Sequence, residues 1–127
     1  GTIDVISSGH APTRKEFKQR EFDTAAYGIS ALETAFALSY TELVKNGLIT
    51  MGELVNRLSE KPAKVLGLNT KGKLAVGYDA DITIADCGEE YVIDAEKFYS
   101  KAKFTPVHGR KVCGRIKHTM VGGKIIL

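Results

Sequence analysis

Histidine occurs three times, cysteine twice and tryptophan never in this 127-residue chain. A catalytic zinc centre needs about three protein ligands and an open position, and no two of His10, His108 and His118 stand at ligand spacing. Cys87 and Cys113 show no metal-binding spacing either. They are expected to be free thiols in a reducing cytoplasm, with one disulfide between them as the alternative. No apolar run approaches the roughly 20 residues of a membrane-spanning helix, and no secretory signal pattern opens the chain. Internal repeats and low-complexity stretches are absent as well.

What is present describes a globular chain able to bury a core. The hydrophobic fraction is 43% and the charged fraction 26%, values of ordinary folded domains. The net charge of +3 is mild. The nearest approach to a basic cluster is Lys101, Lys103, Arg110, Lys111, Arg115 and Lys117. Without interleaved aromatics or a recognition motif it reads as solvated surface, so no nucleic-acid partner is expected, and no membrane. The chain opens Gly1-Thr2-Ile3-Asp4-Val5-Ile6, with no initiator Met and directly into apolar residues. A piece of a longer polypeptide is expected from this.

Residues 2–7 are short, apolar and β-branched, which predicts a strand buried in a parallel sheet. A polar turn follows over residues 8–13, then a charged loop or ragged helix over 14–23. Ser30 and Glu33 have capping-box spacing. Leu32, Phe36, Tyr40, Leu43 and Val44 continue at helical period, and Asn46-Gly47 supplies a stop. Thr50 and Glu53 repeat the box ahead of Leu54, Val55 and Leu58. Pro62 is expected to open a further short helix closed by Gly67. Beyond Asn69 the pattern turns to short strands: residues 73–76, 81–85, 91–93 and 112–121. Gly122-Gly123 is a hairpin turn signal before a closing strand over 124–127. The expected organisation is α/β followed by β, with residues 1–68 as one segment and 69–127 as the other. Each half looks incomplete, since one strand with helices makes no sheet and a few strands make a thin β layer.

Three stretches resemble one family. Ile6-Ser7-Ser8-Gly9-His10-Ala11-Pro12 is similar to the Thr-Asp-His-Ala-Pro-His at the end of the last barrel strand of dihydroorotases. Tyr27-Gly28-Ile29-Ser30-Ala31-Leu32-Glu33-Thr34 resembles their Phe-Gly-Ile-x-Gly-Leu-Glu-Thr, which follows the active-site loop. Gly72-Lys73-Leu74 with Gly77-Tyr78-Asp79-Ala80-Asp81-Ile82 looks like the Gly-x-Ala-Asp-Leu motif that opens the β-sandwich tail of many amidohydrolases. Pro62-Ala63-Lys64-Val65-Leu66-Gly67-Leu68 and Val121-Gly122-Gly123-Lys124 also fit. The resemblance spans nearly the whole chain. Its His-Ala-Pro and Gly-Ile-x-x-Leu-Glu-Thr elements point to the dihydroorotase group of cyclic amidohydrolases, over dihydropyrimidinase or allantoinase.

The resemblance implies a fold: the last βα units of a (β/α)8 amidohydrolase barrel, plus the C-terminal strands of the small β-sandwich. A whole barrel takes roughly 250 residues, so the remainder of the barrel or another chain is an implied partner, and a homo-oligomer is expected. The implied reaction is reversible hydrolysis of dihydroorotate to carbamoyl-aspartate in pyrimidine biosynthesis. In the parent family zinc activates water and polarises the amide carbonyl. The metal-binding, proton-accepting Asp of the family falls at Gly9, which has no side chain to do either. The family's carboxylate-holding His falls at Thr13. Ala26 stands where a loop Pro is usual, and His10, Thr13, Ala26 and Gly28 are the residues placed beside substrate. The family's further metal ligands lie on earlier strands, so no metal ligand and no bound zinc is expected within this chain, and the polypeptide alone is expected to be inactive. The alternative is a non-catalytic relative serving as structural partner of another pyrimidine enzyme such as aspartate transcarbamoylase. Asp79 and Asp81 read as a turn capping backbone N–H groups, Glu33 as a cap, and Ser7 and Ser8 lack a base that would make them nucleophiles.

Overall fold

The computed structural model describes residues 2–127. Helices occupy the first half. α1 is a single turn, Lys15–Lys18, within the charged stretch. A 3-10 turn at Leu32–Thr34 leads into α2, Ala35–Ser39, which continues as a π turn over Tyr40–Val44. α3, Met51–Val55, α4, Lys61–Val65, and the π turn Asn56–Glu60 between them form one unbroken helical run. The sequence suggests a new helix at Pro62, but the run passes through it. The π turn just before Pro62 loosens the backbone ladder where proline contributes no N–H and would crowd a preceding carbonyl.

The second half is a three-stranded antiparallel sheet in the order β1-β2-β3. β1, Ile82–Val92, joins the two short runs expected at 81–85 and 91–93 into one eleven-residue strand. It pairs with β2, Lys111–Val121, from Ile82↔Met120 to Val92↔Lys111, with register shifts at Ile84/Ala85 and Asp86/Glu90. Those shifts interrupt the period of two, so the strand reads in the sequence as two short runs. β3, Lys124–Ile125, returns against β2 with Val121↔Lys124 flanking Gly122-Gly123. Both turn glycines have positive φ, 54° and 79°, which only a primed hairpin turn requires and which glycine adopts freely.

Two expected strands are absent. Residues 73–76 form turn and coil with Leu74 and Val76 largely exposed, 76% and 105%, so nothing covers the apolar side chains that suggested a strand. Residues 2–7 join no ladder among the described residues; their one backbone tie is Ile6 N–H donating to Arg57 O at 3.0 Å. A parallel strand needs neighbours on each side, and the other described residues supply none.

The packed centre lies where the helices meet the sheet. Ala37, Ile93 and Val112 are buried together, with Leu38, Tyr91, Phe98 and Val107 against them. Thr41 binds this joint: its Oγ1 donates to Ala37 O at 2.7 Å and accepts the Cys113 N–H at 2.9 Å. Cys113 is buried and both cysteines are free thiols. Of the basic residues suspected as a patch, Arg110 pairs with Glu42, Lys111 with Glu90, and Arg115 and Lys117 with Glu89. This charge is compensated locally, as a solvated surface should be.

Candidate functional site

The segment 9–13 lies along residues 26–32. His10 and Ile29 form a parallel bridge, and Ala11 N–H donates to Ile29 O at 2.9 Å. Thr13 Oγ1 donates to Tyr27 O at 2.8 Å. Gly28 makes the approach possible: it has φ +104°, and a Cβ there would stand 2.2 Å from Ala11 O. No side chain fits that gap, so glycine is a steric requirement at this position. Ala26 is tied from the other side, its N–H donating to Phe17 O at 3.0 Å. The chain therefore brings Gly9, His10, Thr13, Ala26 and Gly28 onto two adjoining segments.

His10 is committed at one nitrogen. Its Nδ1 accepts the N–H groups of Ala31 at 3.1 Å and Leu32 at 3.3 Å. These are donors at the start of the helical run, which its own residues leave unsatisfied. An acceptor at Nδ1 puts the ring proton on Nε2, so the free edge of the imidazole is a donor. The residue thus does what an N-cap side chain does, from 21 positions away.

The Ser30/Glu33 capping box does not form. Ser30, 2% exposed, turns its hydroxyl to Ala102 O at 2.6 Å and its N–H to Phe104 O at 2.8 Å. Glu33 accepts from Tyr99 N–H at 2.8 Å and Ser100 N–H at 3.0 Å. The motif is a clamp on residues 99–104, and the helix start it was expected to cap is served by His10. Sequence reasoning missed this because box spacing is a local signal and the partners lie far along the chain. The second box is as read: Thr50 N–H donates to Glu53 Oε2 at 2.8 Å and Glu53 N–H to Thr50 Oγ1 at 3.2 Å. The Thr50 N–H first, and the Thr50 hydroxyl donating to Glu53 Oε2 at 3.0 Å second, hold the Glu53 carboxyl below its usual range.

Gly9 has φ +61°, and a Cβ built there meets nothing within 4 Å. The place of the expected carboxylate is thus open space beside the His10 segment. The other histidines have local partners: His108 Nδ1 accepts the Ala95 N–H at 3.1 Å, and His118 Nδ1 lies 3.2 Å from Leu127 O. No group of three His, Cys, Asp or Glu able to hold a metal ion assembles among the described residues. With Gly9 lacking a donor and His10 Nδ1 engaged, the residues present do not fit a zinc site.

Asp79 and Asp81 act structurally. Both pair with Lys71, and Asp81 Oδ1 accepts the Gly122 N–H at 2.9 Å. Hydrogen bonds from Lys71 first, and Gly122 second, hold the Asp81 carboxyl below its usual range. The two carboxylates push the Lys71 ammonium up to about 12. The pair ties the loop before β1 to the β2–β3 turn, and it is far better explained as a clasp than as an acid–base pair.

Among the described residues no helix is long and apolar enough to cross a membrane. The amidohydrolase family matches residues 2–126. A dihydroorotase of Acetivibrio thermocellus is 46% identical over 127 residues, all of this chain and 30% of that protein. One from Thermoanaerobacter sp. is 51% identical over 125 residues, 98% of this chain and 28% of that protein. Among solved structures, the L-hydantoinase (dihydropyrimidinase) of Arthrobacter aurescens superposes with a TM-score of 0.92 at 35% identity, covering 99% of this chain and 29% of that one. The dihydropyrimidinase of Brevibacillus agri gives 0.89 at 28% identity, covering 98% and 28%. The chain thus spans about 30% of the length of the relatives it matches. On sequence and fold together, it belongs to the amidohydrolase family.

Proposed function

We propose that this chain is the C-terminal share of a dihydroorotase, an enzyme catalysing reversible hydrolysis of dihydroorotate to carbamoyl-aspartate. The observation that carries the reading is 46–51% identity to dihydroorotases across 98–100% of the chain. Identity to the hydantoinase and dihydropyrimidinase structures is lower, 28–35%, so ring opening of dihydroorotate is favoured over that of hydantoins. A purely structural partner of aspartate transcarbamoylase has no comparable observation behind it. In the proposed whole protein, residues 2–68 supply the last βα units of the barrel and residues 69–127 the C-terminal strands of the sandwich. The location is the cytoplasm, where pyrimidines are made.

The role of this chain's residues is to shape one wall of the substrate site. His10 fastens its own segment to residues 31 and 32 and leaves its Nε2–H as a donor toward a substrate oxygen. Gly28 lets the two segments close, and Thr13 fixes the Tyr27 carbonyl. Zinc, required by the family reaction, would be held by residues outside these 127, since those present do not fit it.

The test is an assay of the purified chain with dihydroorotate and added zinc, alone and together with the portion of the Acetivibrio thermocellus dihydroorotase that it does not match. The chain alone is expected to be silent, and the pair to turn over once Gly9→Asp restores the carboxylate. Turnover by the chain alone, or a silent, fully assembled Gly9→Asp pair, overturns the reading.

A further inference from the structure

Lys45 and Cys113 meet across the joint between the helices and the sheet. Lys45 follows directly on the π turn Tyr40–Val44, and Cys113 is the third residue of β2. Lys45 Nζ donates to Cys113 Sγ at 3.5 Å. Thr41, one turn earlier on the same helical run, accepts the Cys113 N–H at 2.9 Å. From β1, the Cys87 carbonyl oxygen accepts the Cys113 thiol proton at 3.3 Å. The cysteine is thus held at its backbone and at its sulfur, and Cys87 meets that sulfur with an oxygen. Lys45 and Cys113 both line an open pocket of about 320 Å³, with Glu90 and Lys111 beside them. Glu90 leans to Lys111 at 2.5 Å and stands 4.0 Å from Lys45, so the sulfur is the nearer partner of the Lys45 ammonium. Cys113 is only 3% exposed, but the Lys45 side chain that touches its sulfur is 45% exposed. A flexible four-carbon stem carries the ammonium. Its swing into the pocket uncovers the sulfur to a molecule the size of a peroxide.

We propose that Cys113 and Lys45 are the two ends of an oxidative cross-link, a sulfur–nitrogen bond made at the expense of hydrogen peroxide. The Cys113 sulfur attacks one peroxide oxygen, the O–O bond breaks, and a sulfenic acid and one water form. Lys45 releases one proton to solvent in the pocket. Its amine nitrogen then attacks the sulfur, and the sulfenic oxygen leaves as a second water, as it does when a backbone nitrogen closes a sulfenamide. Sulfur gives up two electrons and the peroxide takes them. Two equivalents of a small thiol reverse the bond and leave as their own disulfide. Contact in the resting state makes the second step effectively unimolecular. The bridge staples residue 45 to residue 113, one in the segment 1–68 and the other in 69–127, so the strength of the joint answers to oxidant. None of this depends on what the assembled enzyme acts on.

The experiment treats the purified chain with hydrogen peroxide and then alkylates the remaining thiols with iodoacetamide. Intact mass, proteolytic peptides and the melting temperature are read before and after. The expected product carries one alkylated cysteine, Cys87, and is otherwise two hydrogens lighter than the parent. Its peptides include a pair joined through Lys45 and Cys113. Its melting temperature rises by several degrees, since the bridge closes a long loop, and dithiothreitol reverses every change. Cys87→Ser is expected to cross-link as the parent does. Lys45→Arg keeps the charge but lacks the amine, so the cross-link and the melting shift should both vanish, with Cys113 passing on to sulfinic acid. A Cys87–Cys113 disulfide, a sulfinic acid at Cys113 of the parent beside an unmodified Lys45, or a parent unchanged by peroxide would overturn the inference.

Discussion

The Glu33 carboxylate accepts the Tyr99 backbone N–H at 2.8 Å, across 66 positions of sequence. Ser100 N–H joins it on the other oxygen at 3.0 Å. A single acidic side chain thereby fixes the approach of the segment after β1 to the start of the helical run. Glu33→Ala is expected to cost about 1 kcal/mol, the low end for charge-assisted bonds because the site is exposed. Urea denaturation reads the loss, and amide exchange at Tyr99 and Ser100 should accelerate ahead of exchange in β1. Unchanged exchange there would show that the clamp holds nothing.

His10 caps donors that no neighbour reaches. Replacing it with alanine should cost about 0.5–2 kcal/mol, as lost N-caps do. His10→Asn, whose amide oxygen can accept, is expected to recover part of that in thermal melts. Equal destabilisation by Ala and Asn would mean that ring packing matters more than the acceptor.

Gly28→Ala places a methyl group 2.2 Å from Ala11 O at φ +104°. Strain and collision together should destabilise the chain by about 2 kcal/mol or more. The Ala11 amide, released from Ile29 O, should lose its exchange protection first. A Gly28→Ala melt within error of the parent would be hard to square with this packing.

Gly9 presents the opposite case, because its φ of +61° is the only obstacle to a side chain. Asp tolerates that region better than most residues, whereas a β-branched residue does not. Gly9→Asp should fold with a loss of about 1 kcal/mol and Gly9→Val with a distinctly larger one. Chemical denaturation of the pair decides it by rank order.

The clasp of Lys71, Asp79 and Asp81 gives stability two pH limits. Asp81 has its folded pKa depressed, chiefly by Lys71, so its contribution is present above the usual 3.8 and disappears as pH falls through the lower folded value. Lys71 has its folded pKa raised from 10.5 to about 12, so its contribution is whole below 10.5 and is lost as pH rises toward 12. Both groups are solvent-exposed, so the effect should be small and should shrink in high salt. Urea midpoints followed across pH for the parent and Asp81→Asn should converge at the acid end. Parallel curves throughout would remove the clasp from the pH response.

What could be read from the residues divides by distance along the chain. The Thr50–Glu53 box and the Gly122-Gly123 hairpin are complete within four residues, so their spacing carried the whole signal, and the structure has both. Ser30 and Glu33 have the same spacing, yet their partners sit at residues 99–102, which periodicity does not register. The expected strand at residues 2–7 was sound in its composition, but strand pairing is nonlocal and the described residues offer no neighbour for it. The segment at 73–76 shows the reverse error, a β-like pattern in residues left exposed. At the candidate site, the motif located the two segments that meet, while the acceptor role of His10 became visible only once residues 10 and 31 were adjacent.

The Ser30 hydroxyl waits for Ala102, 72 residues downstream. During synthesis at roughly 5–20 residues per second, the wall around Gly28 therefore spends about 4–14 s, by that rate, without its buttress. In that interval Ser30, Glu33 and their neighbours stand uncovered, and the sheet that will brace them is still unmade. A ribosome that stalls before residue 99 therefore carries a product in which Ser30 and Glu33 have none of their partners and the candidate site is unbraced.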